Sequence, residues 1–230
     1  MCGRYTLATD RTTLSETFPQ LTLPDVLPPR YNIAPSQEVA VVANTGERVL
    51  ASFRWGLIPS WAKDPGIGHK MINARAESLA EKPSFRTAYQ RRRCLILADG
   101  FYEWAQQPGS KTKIPVYIRL RSGRPFGFAG LWEVWRPADG PPVFSCTIIT
   151  TTPNELMERI HHRMPVIVKP DAYEQWLDPH EQPPERLDGL LVPYPAAEMI
   201  AYPVSSLVNN PKMDSPACIE PVRDTPKDPS

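Results

Sequence analysis

Proline punctuates this sequence, with 28 in 230 residues, about twice the usual frequency. Each fixes φ near −65° and removes a backbone donor, which excludes long helices and uninterrupted central strands from most of the chain. The prolines fall between short apolar, β-branched runs rather than in one biased tract. That pattern favours many short strands joined by shaped loops over a disordered chain.

Residues 39–43 and 49–57 read as two strands joined by a hairpin turn at Asn44-Thr45-Gly46-Glu47. Residues 94–98 form an apolar run suited to a buried strand, which delivers Asp99-Gly100-Phe101-Tyr102-Glu103-Trp104 at its end. Further strands are expected at 114–120, 125–135, 143–150 and 165–168, while 30–36 reads as a loop. Helices are expected at 10–18, from 76 to about 93 with Pro83 interrupting, at 171–177 and, more weakly, at 185–191. One more begins at Pro153, with Thr152 as cap and Glu155 completing a capping box, and ends near Ile160-His161-His162-Arg163. With no internal repeat and no regular β-α alternation, the expected fold is a single α+β domain. It has a mainly antiparallel, barrel-like β core and a few short helices over 1–222, and a disordered tail over 223–230.

The 26 basic and 25 acidic side chains nearly cancel, so contact with nucleic acid has to come from a local patch. No run of about 18 apolar residues is present to span a membrane, and the start lacks a secretory apolar core. A cytoplasmic monomer is the expectation. Cys2, Cys94, Cys146 and Cys218 are widely spaced without a C-x-x-C pair, which argues against a zinc cluster and a disulfide scaffold. No metal and no cofactor are expected.

Cys2 follows the initiator methionine directly. Its small side chain permits removal of Met1, after which one residue carries an α-amine of pKa about 7.7–8.0 and a thiol of about 8.5. Such a 1,2-aminothiol traps aldehydes: the amine condenses to an imine and the thiol closes a five-membered thiazolidine on the same carbon. A frayed, chemically idle terminal residue is the competing reading.

Other positions carry chemistry of their own. His161, at the expected C-terminus of a capped helix, would be favoured in its protonated form by the helix dipole, or would belong to a solvated basic cluster with Arg159, His162 and Arg163. Glu103, bracketed by aromatic residues, would have a raised pKa if desolvated and act as a general acid, and would face solvent otherwise. Asn73 and Arg75, two apart in an extended segment, point to one side and suit an anionic ligand, with a helix cap or surface ion pair as the competing reading of Arg75. Arg86, Arg91, Arg92 and Arg93, the densest basic run, read as a solvated face at a helix end. Loop-borne Trp61 is the best placed of six tryptophans to stack on an unpaired base.

Met1-Cys2-Gly3-Arg4-Tyr5, Tyr31-Asn32-Ile33-Ala34-Pro35, Ile72-Asn73-Ala74-Arg75-Ala76-Glu77, Ala98-Asp99-Gly100-Phe101-Tyr102-Glu103-Trp104 and Ile160-His161-His162-Arg163-Met164-Pro165 together resemble the SOS-response-associated peptidase (SRAP) family of HMCES-type proteins. The resemblance implies a sensor of abasic sites in single-stranded DNA. Cys2 would form a thiazolidine with the ring-opened sugar aldehyde after self-removal of Met1. It further implies that Asn73 orients the amine or the nascent hydroxyl, that Glu103 shuttles protons, and that His161 protonates the opening sugar ring oxygen and assists reversal. Arg4 and Arg75 would hold phosphates, and Pro35 and Trp61 would meet neighbouring bases. Two departures stand out: His162 occupies a position that is often acidic in the family, and Trp61-Ala62 replaces two adjacent aromatics.

Two other functions remain open on the sequence. N-terminal-nucleophile glutamine amidotransferases also begin Met-Cys-Gly, although their glutamine-binding motifs are missing here. A plain single-stranded DNA binding module would use the tryptophans and arginines with Cys2 incidental.

Overall fold

A computed structural model describes residues 2–107, 109 and 112–222. Its strands are β1 (Tyr5–Leu7), β2 (Arg30–Ile33), β3 (Glu38–Ala43), β4 (Leu50–Trp55), β5 (Asn73–Arg75), β6 (Arg93–Ala98) and β7 (Gly100–Gln106). They continue as β8 (Lys113–Leu120), β9 (Phe126–Trp135), β10 (Val143–Thr151), β11 (Met164–Pro165), β12 (Ile167–Val168) and β13 (Met199–Pro203). Three short helices matter below: α1 (Arg11–Thr17), α2 (Arg86–Arg91) and α3 (Glu155–Glu158).

Strands β4, β3, β6, β9 and β10 close a five-stranded barrel. Antiparallel pairs run round it, and a parallel pairing of β10 with β4, Ser145 against Arg54, seals the seam. Closure removes the exposed edges that such strands would otherwise present. Strands β5 and β11 extend β10, and β12 extends β9. A second antiparallel sheet in the order β13-β8-β7-β1-β2 packs beside the barrel. The expected α+β architecture, with its mainly antiparallel barrel core and few short helices, is the architecture found.

The apolar runs explain the barrel. All six residues of β6 are buried, and Tyr5, Trp55 and Phe128 meet edge to face inside, with centroids 5.2 and 5.8 Å from Tyr5. Each such side chain contributes about 1.5–3 kcal/mol by leaving water. Gly100 is required where β7 begins, because a Cβ there would lie 2.2 Å from the Tyr117 hydroxyl. The close approach of that ring seats β7 on β8, in the register Glu103 against Val116.

The structure departs from expectation in several places. Residues 30–33 form β2 rather than loop, because buried Asn32 bonds the carbonyls of Asn210 (3.0 Å) and Met213 (2.6 Å) and holds the segment against the chain's end. The helix expected from 76 breaks into a 3-10 turn, Ala76–Ser78, and α2. Pro83, which lacks a donor, falls in the gap. Helix α3 is capped by Asn154, whose side chain accepts from Met157 N at 2.9 Å, rather than by Thr152. Arg93 is fully buried rather than solvated, donating to the carbonyls of Trp176, Tyr89, Gln90, Asp178 and His180. Strands β1 and β13 had no clear signal. The tail expected to be disordered, 223–230, lies outside the described residues. Among the described residues, no helix is long and apolar enough to cross a membrane.

Candidate active site

Strand β1 runs antiparallel to β7, with Tyr5 opposite Phe101 and Tyr102 N donating to Arg4 O at 2.9 Å. Followed toward its start, β1 therefore lays Cys2 alongside the Glu103 end of β7. Cys2 is fully buried, not frayed, and its Sγ lies 3.8 Å from Arg4 O. On the barrel side, β5 runs parallel to β10, with Asn73 opposite Ile148. From there the Asn73 Nδ2 donates to Cys2 O at 2.8 Å. Asn73 Oδ1 is buried with no protein partner among the described residues. An acceptor of that kind suits the N–H of an adjacent amine.

Glu103 is buried, 3% exposed, so the solvent-facing reading does not hold. Burial raises its carboxyl pKa. The Cys2 thiol is pushed well above its ordinary value, first by burial and then by the charge of Glu103, which marks the two as electrostatic neighbours. Cys2 is thus held as a neutral thiol, and the ordinary pKa of about 8.5 does not apply.

His161 follows α3 and reaches the site through the turn into β11, which pairs with β10 beyond Thr150. Its pKa is lowered to about 4 by burial, with the positive charge of the chain's α-amine and His162 adding to the effect. The helix dipole does not protonate it: α3 has four residues, too few aligned peptides to oppose desolvation. His161 stacks on His162 with centroids 4.3 Å apart, and its Nδ1 accepts the Arg163 backbone N–H at 3.0 Å. Cys2, Asn73 and Glu103 therefore come from three separate stretches and meet where the second sheet meets the barrel, while His161, from a fourth, feels the charge of the α-amine at the start of the chain. A neutral thiol, an amide, a protonatable carboxyl and a neutral imidazole suit addition to a carbonyl with proton transfer, without a metal.

The four expected DNA contacts are placed differently from one another. Arg4 is half-buried: its Nη1 donates to Asn32 Oδ1 and Val208 O, both at 2.7 Å, and the guanidinium lies 6.0 Å from the Trp104 ring centre. Arg75 is exposed at the end of β5, and Trp61 is 59% exposed. Pro35 is partly buried beside Ser36, whose φ of 71° is the one left-handed non-glycine conformation among the described residues.

Several supporting residues escaped the residue-by-residue reading. Asn32 ties Arg4 to the chain's end. Asp99 accepts from Ala8 N at 2.6 Å and Thr9 N at 2.7 Å, fixing the far end of β1. Arg163 forms a two-pronged pair with Glu77. All three lie inside the motif blocks, but their partners are far off in sequence and no local pattern announces them.

This site on this fold defines a barrel protein with a buried cysteine at the second position, an amide bonded to its carbonyl and a buried carboxyl beside it. The chain belongs to the SOS response associated peptidase (SRAP) family, whose model matches residues 1–211. It is 52% identical over 226 residues to abasic site processing protein YoqW of Bacillus subtilis (strain 168), covering 96% of this chain and 99% of that protein. It is 36% identical to abasic site processing protein HMCES of Gallus gallus, covering 84% and 66% of the two chains. A solved structure of a protein from Bacteroides thetaiotaomicron has the same fold, with TM-score 0.86 and 26% identity over 96% of this chain and 100% of that one.

Proposed function

We propose that this chain is a sensor of abasic sites in single-stranded DNA. It captures the ring-opened sugar aldehyde on a mature N-terminal Cys2 as a thiazolidine cross-link. The observation that carries the reading is the Asn73 bond to the Cys2 carbonyl beside buried Glu103. It orients the one residue able to offer both an amine and a thiol. The names of the relatives above support the substrate class.

The chemistry begins with hydrolysis of the Met1–Cys2 peptide bond, in which water is consumed, methionine leaves and the Cys2 α-amine is freed. The family's peptidase label fits a thiol autopeptidase acting on itself. At the lesion, the neutral His161 donates a hydrogen bond from Nε2–H to the sugar ring oxygen as the C1′–O4′ bond breaks and its electron pair goes to O4′. The C1′ hydroxyl proton passes through water to O4′, so C1′ becomes the aldehyde and the imidazole keeps its proton. The Cys2 amine then adds to the C1′ aldehyde, and Glu103 protonates the departing hydroxyl, so that water leaves, an iminium that keeps its N–H remains and Glu103 becomes a carboxylate. Finally the thiol adds across C=N⁺: sulfur bonds carbon, the C=N π pair goes to nitrogen, and the thiol proton goes to the Glu103 carboxylate, which restores the acid. One water is lost overall. The same groups run backwards, with one water consumed, would slowly release the intact abasic site.

Exposed Arg75 and Trp61 would meet a flanking phosphate and base, Pro35 a neighbouring base, and Arg4 a phosphate through Nη2, its Nη1 being held by the fold. The test is Cys2→Ala. Adducts with abasic DNA should vanish while reversible binding to intact single strands persists. Adduct formation at the wild-type level in that variant would remove Cys2 from the chemistry.

A further inference from the structure

The turn that carries His161 is pinned by an ion pair outside the reacting groups. Arg163 is 9% exposed, and its two terminal nitrogens grip both carboxylate oxygens of Glu77, at 2.6 and 2.9 Å. Its Nη2 also donates to Thr150 O at 2.6 Å. Glu77 follows β5 by two residues, so the pair ties the His161 turn to the strand that carries Asn73. Meanwhile the Arg163 main-chain N–H donates to His161 Nδ1 at 3.0 Å. A donor meets a ring nitrogen only where that nitrogen carries a lone pair, so in the neutral ring the proton resides on Nε2.

We infer that Glu77 and Arg163 are positioning residues, which hold the His161 turn so that the Arg163 main chain selects the Nε2–H tautomer and makes the imidazole a hydrogen-bond donor toward the sugar ring oxygen. The logic is that of a base oriented by a third group, with a main-chain N–H selecting the tautomer and an ion pair holding that N–H in place. A bidentate guanidinium–carboxylate pair fixes both distance and plane, which lysine in place of arginine cannot reproduce. The inference rests on the function proposed above for His161. Its structural half, the tautomer, is measurable without DNA.

The experiment uses full-length protein labelled with ¹⁵N-histidine, as wild type, Glu77→Gln, Glu77→Asp, Arg163→Lys and His161→Gln. Ring ¹⁵N shifts read the tautomer, and single-turnover cross-linking to a saturating abasic oligonucleotide reads the rate. In wild type His161 should be Nε2-protonated. In Glu77→Gln and Arg163→Lys the Nδ1–H form should become populated and the rate fall by about tenfold or more, with the Kd for intact single strands unchanged. Glu77→Asp should recover part of both. Glu77→Gln added to His161→Gln should cost nothing further. An unchanged tautomer in both folded variants, or the same loss from Glu77→Gln with and without His161, would overturn the inference. Should wild type form no adduct at all, the functional reading fails, while the ring shifts still decide the clamp.

Discussion

The side-chain amide of Asn73 donates to the main-chain carbonyl of Cys2 across 2.8 Å, joining barrel strand β5 to the start of the second sheet. That bond fixes the Cys2 backbone from outside its own strand, and it leaves the Asn73 carbonyl oxygen buried with no protein partner among the described residues. Asn73→Ala should slow cross-linking by about tenfold to a hundredfold, the loss of roughly 1.4–2.8 kcal/mol of orientation, at near-normal affinity for intact strands. Equal losses in rate and affinity would show a role in binding instead.

Glu103 should be coupled to stability as well as to rate. Its folded-state pKa is raised by burial, so between the unfolded value of about 4.3 and the folded value the native state binds more protons than the unfolded chain. Stability from this group is present below the unfolded pKa and is lost as pH rises through the folded one. Glu103→Gln should therefore gain in Tm over wild type as pH rises from 4 to 8, while cross-linking more slowly with little change in DNA affinity. Thermal scans across pH check the sign, and a Tm gap that shrinks with pH would contradict it.

His161 carries the opposite sign. Its folded pKa of about 4 lies below the ordinary 6.5, so the unfolded chain takes up the proton first. The resulting loss of stability should develop as pH falls from about 6.5 to 4. Proton NMR of the ring should show its inflection near 4 and none near 6.5. A midpoint near 6.5 would mean that the imidazole is solvated.

Trp61 is exposed and contributes little to the core, so Trp61→Ala should leave Tm unchanged. Single-strand affinity should fall by about 1–3 kcal/mol if the ring stacks on a base, as read by fluorescence anisotropy on intact and abasic oligonucleotides. Unchanged affinity would take Trp61 off the strand's path.

Strands β3, β4, β6, β8, β9 and β10 were legible because their β-branched, aromatic runs are long enough to show a period against the proline breaks. Strands β1 and β2 were not: three or four residues carry no period, and they pair only because Asp99 and Asn32 bond distant backbone. Arg93 misled for a similar reason, since its five carbonyl partners lie in segments that meet only in the fold. At the site, the chemistry of Cys2 and the aromatic bracket around Glu103 were readable locally. The convergence of both with Asn73 and His161 rested on family resemblance, because nothing local says that β5 joins β10 or that β1 joins β7. His161 is neutral rather than protonated because α3 spans four residues, fewer than the capping signals at Thr152 and Pro153 imply, and burial outweighs so short a dipole.

The most direct measurement is the intact mass of the purified protein before and after mixing with a single-stranded oligonucleotide bearing one abasic site. The capture chemistry predicts a starting mass lacking methionine, then a gain equal to the oligonucleotide less one water. A retained methionine, or a mature Cys2 that gains nothing, would contradict it, and glutamine hydrolysis would then be the activity to assay.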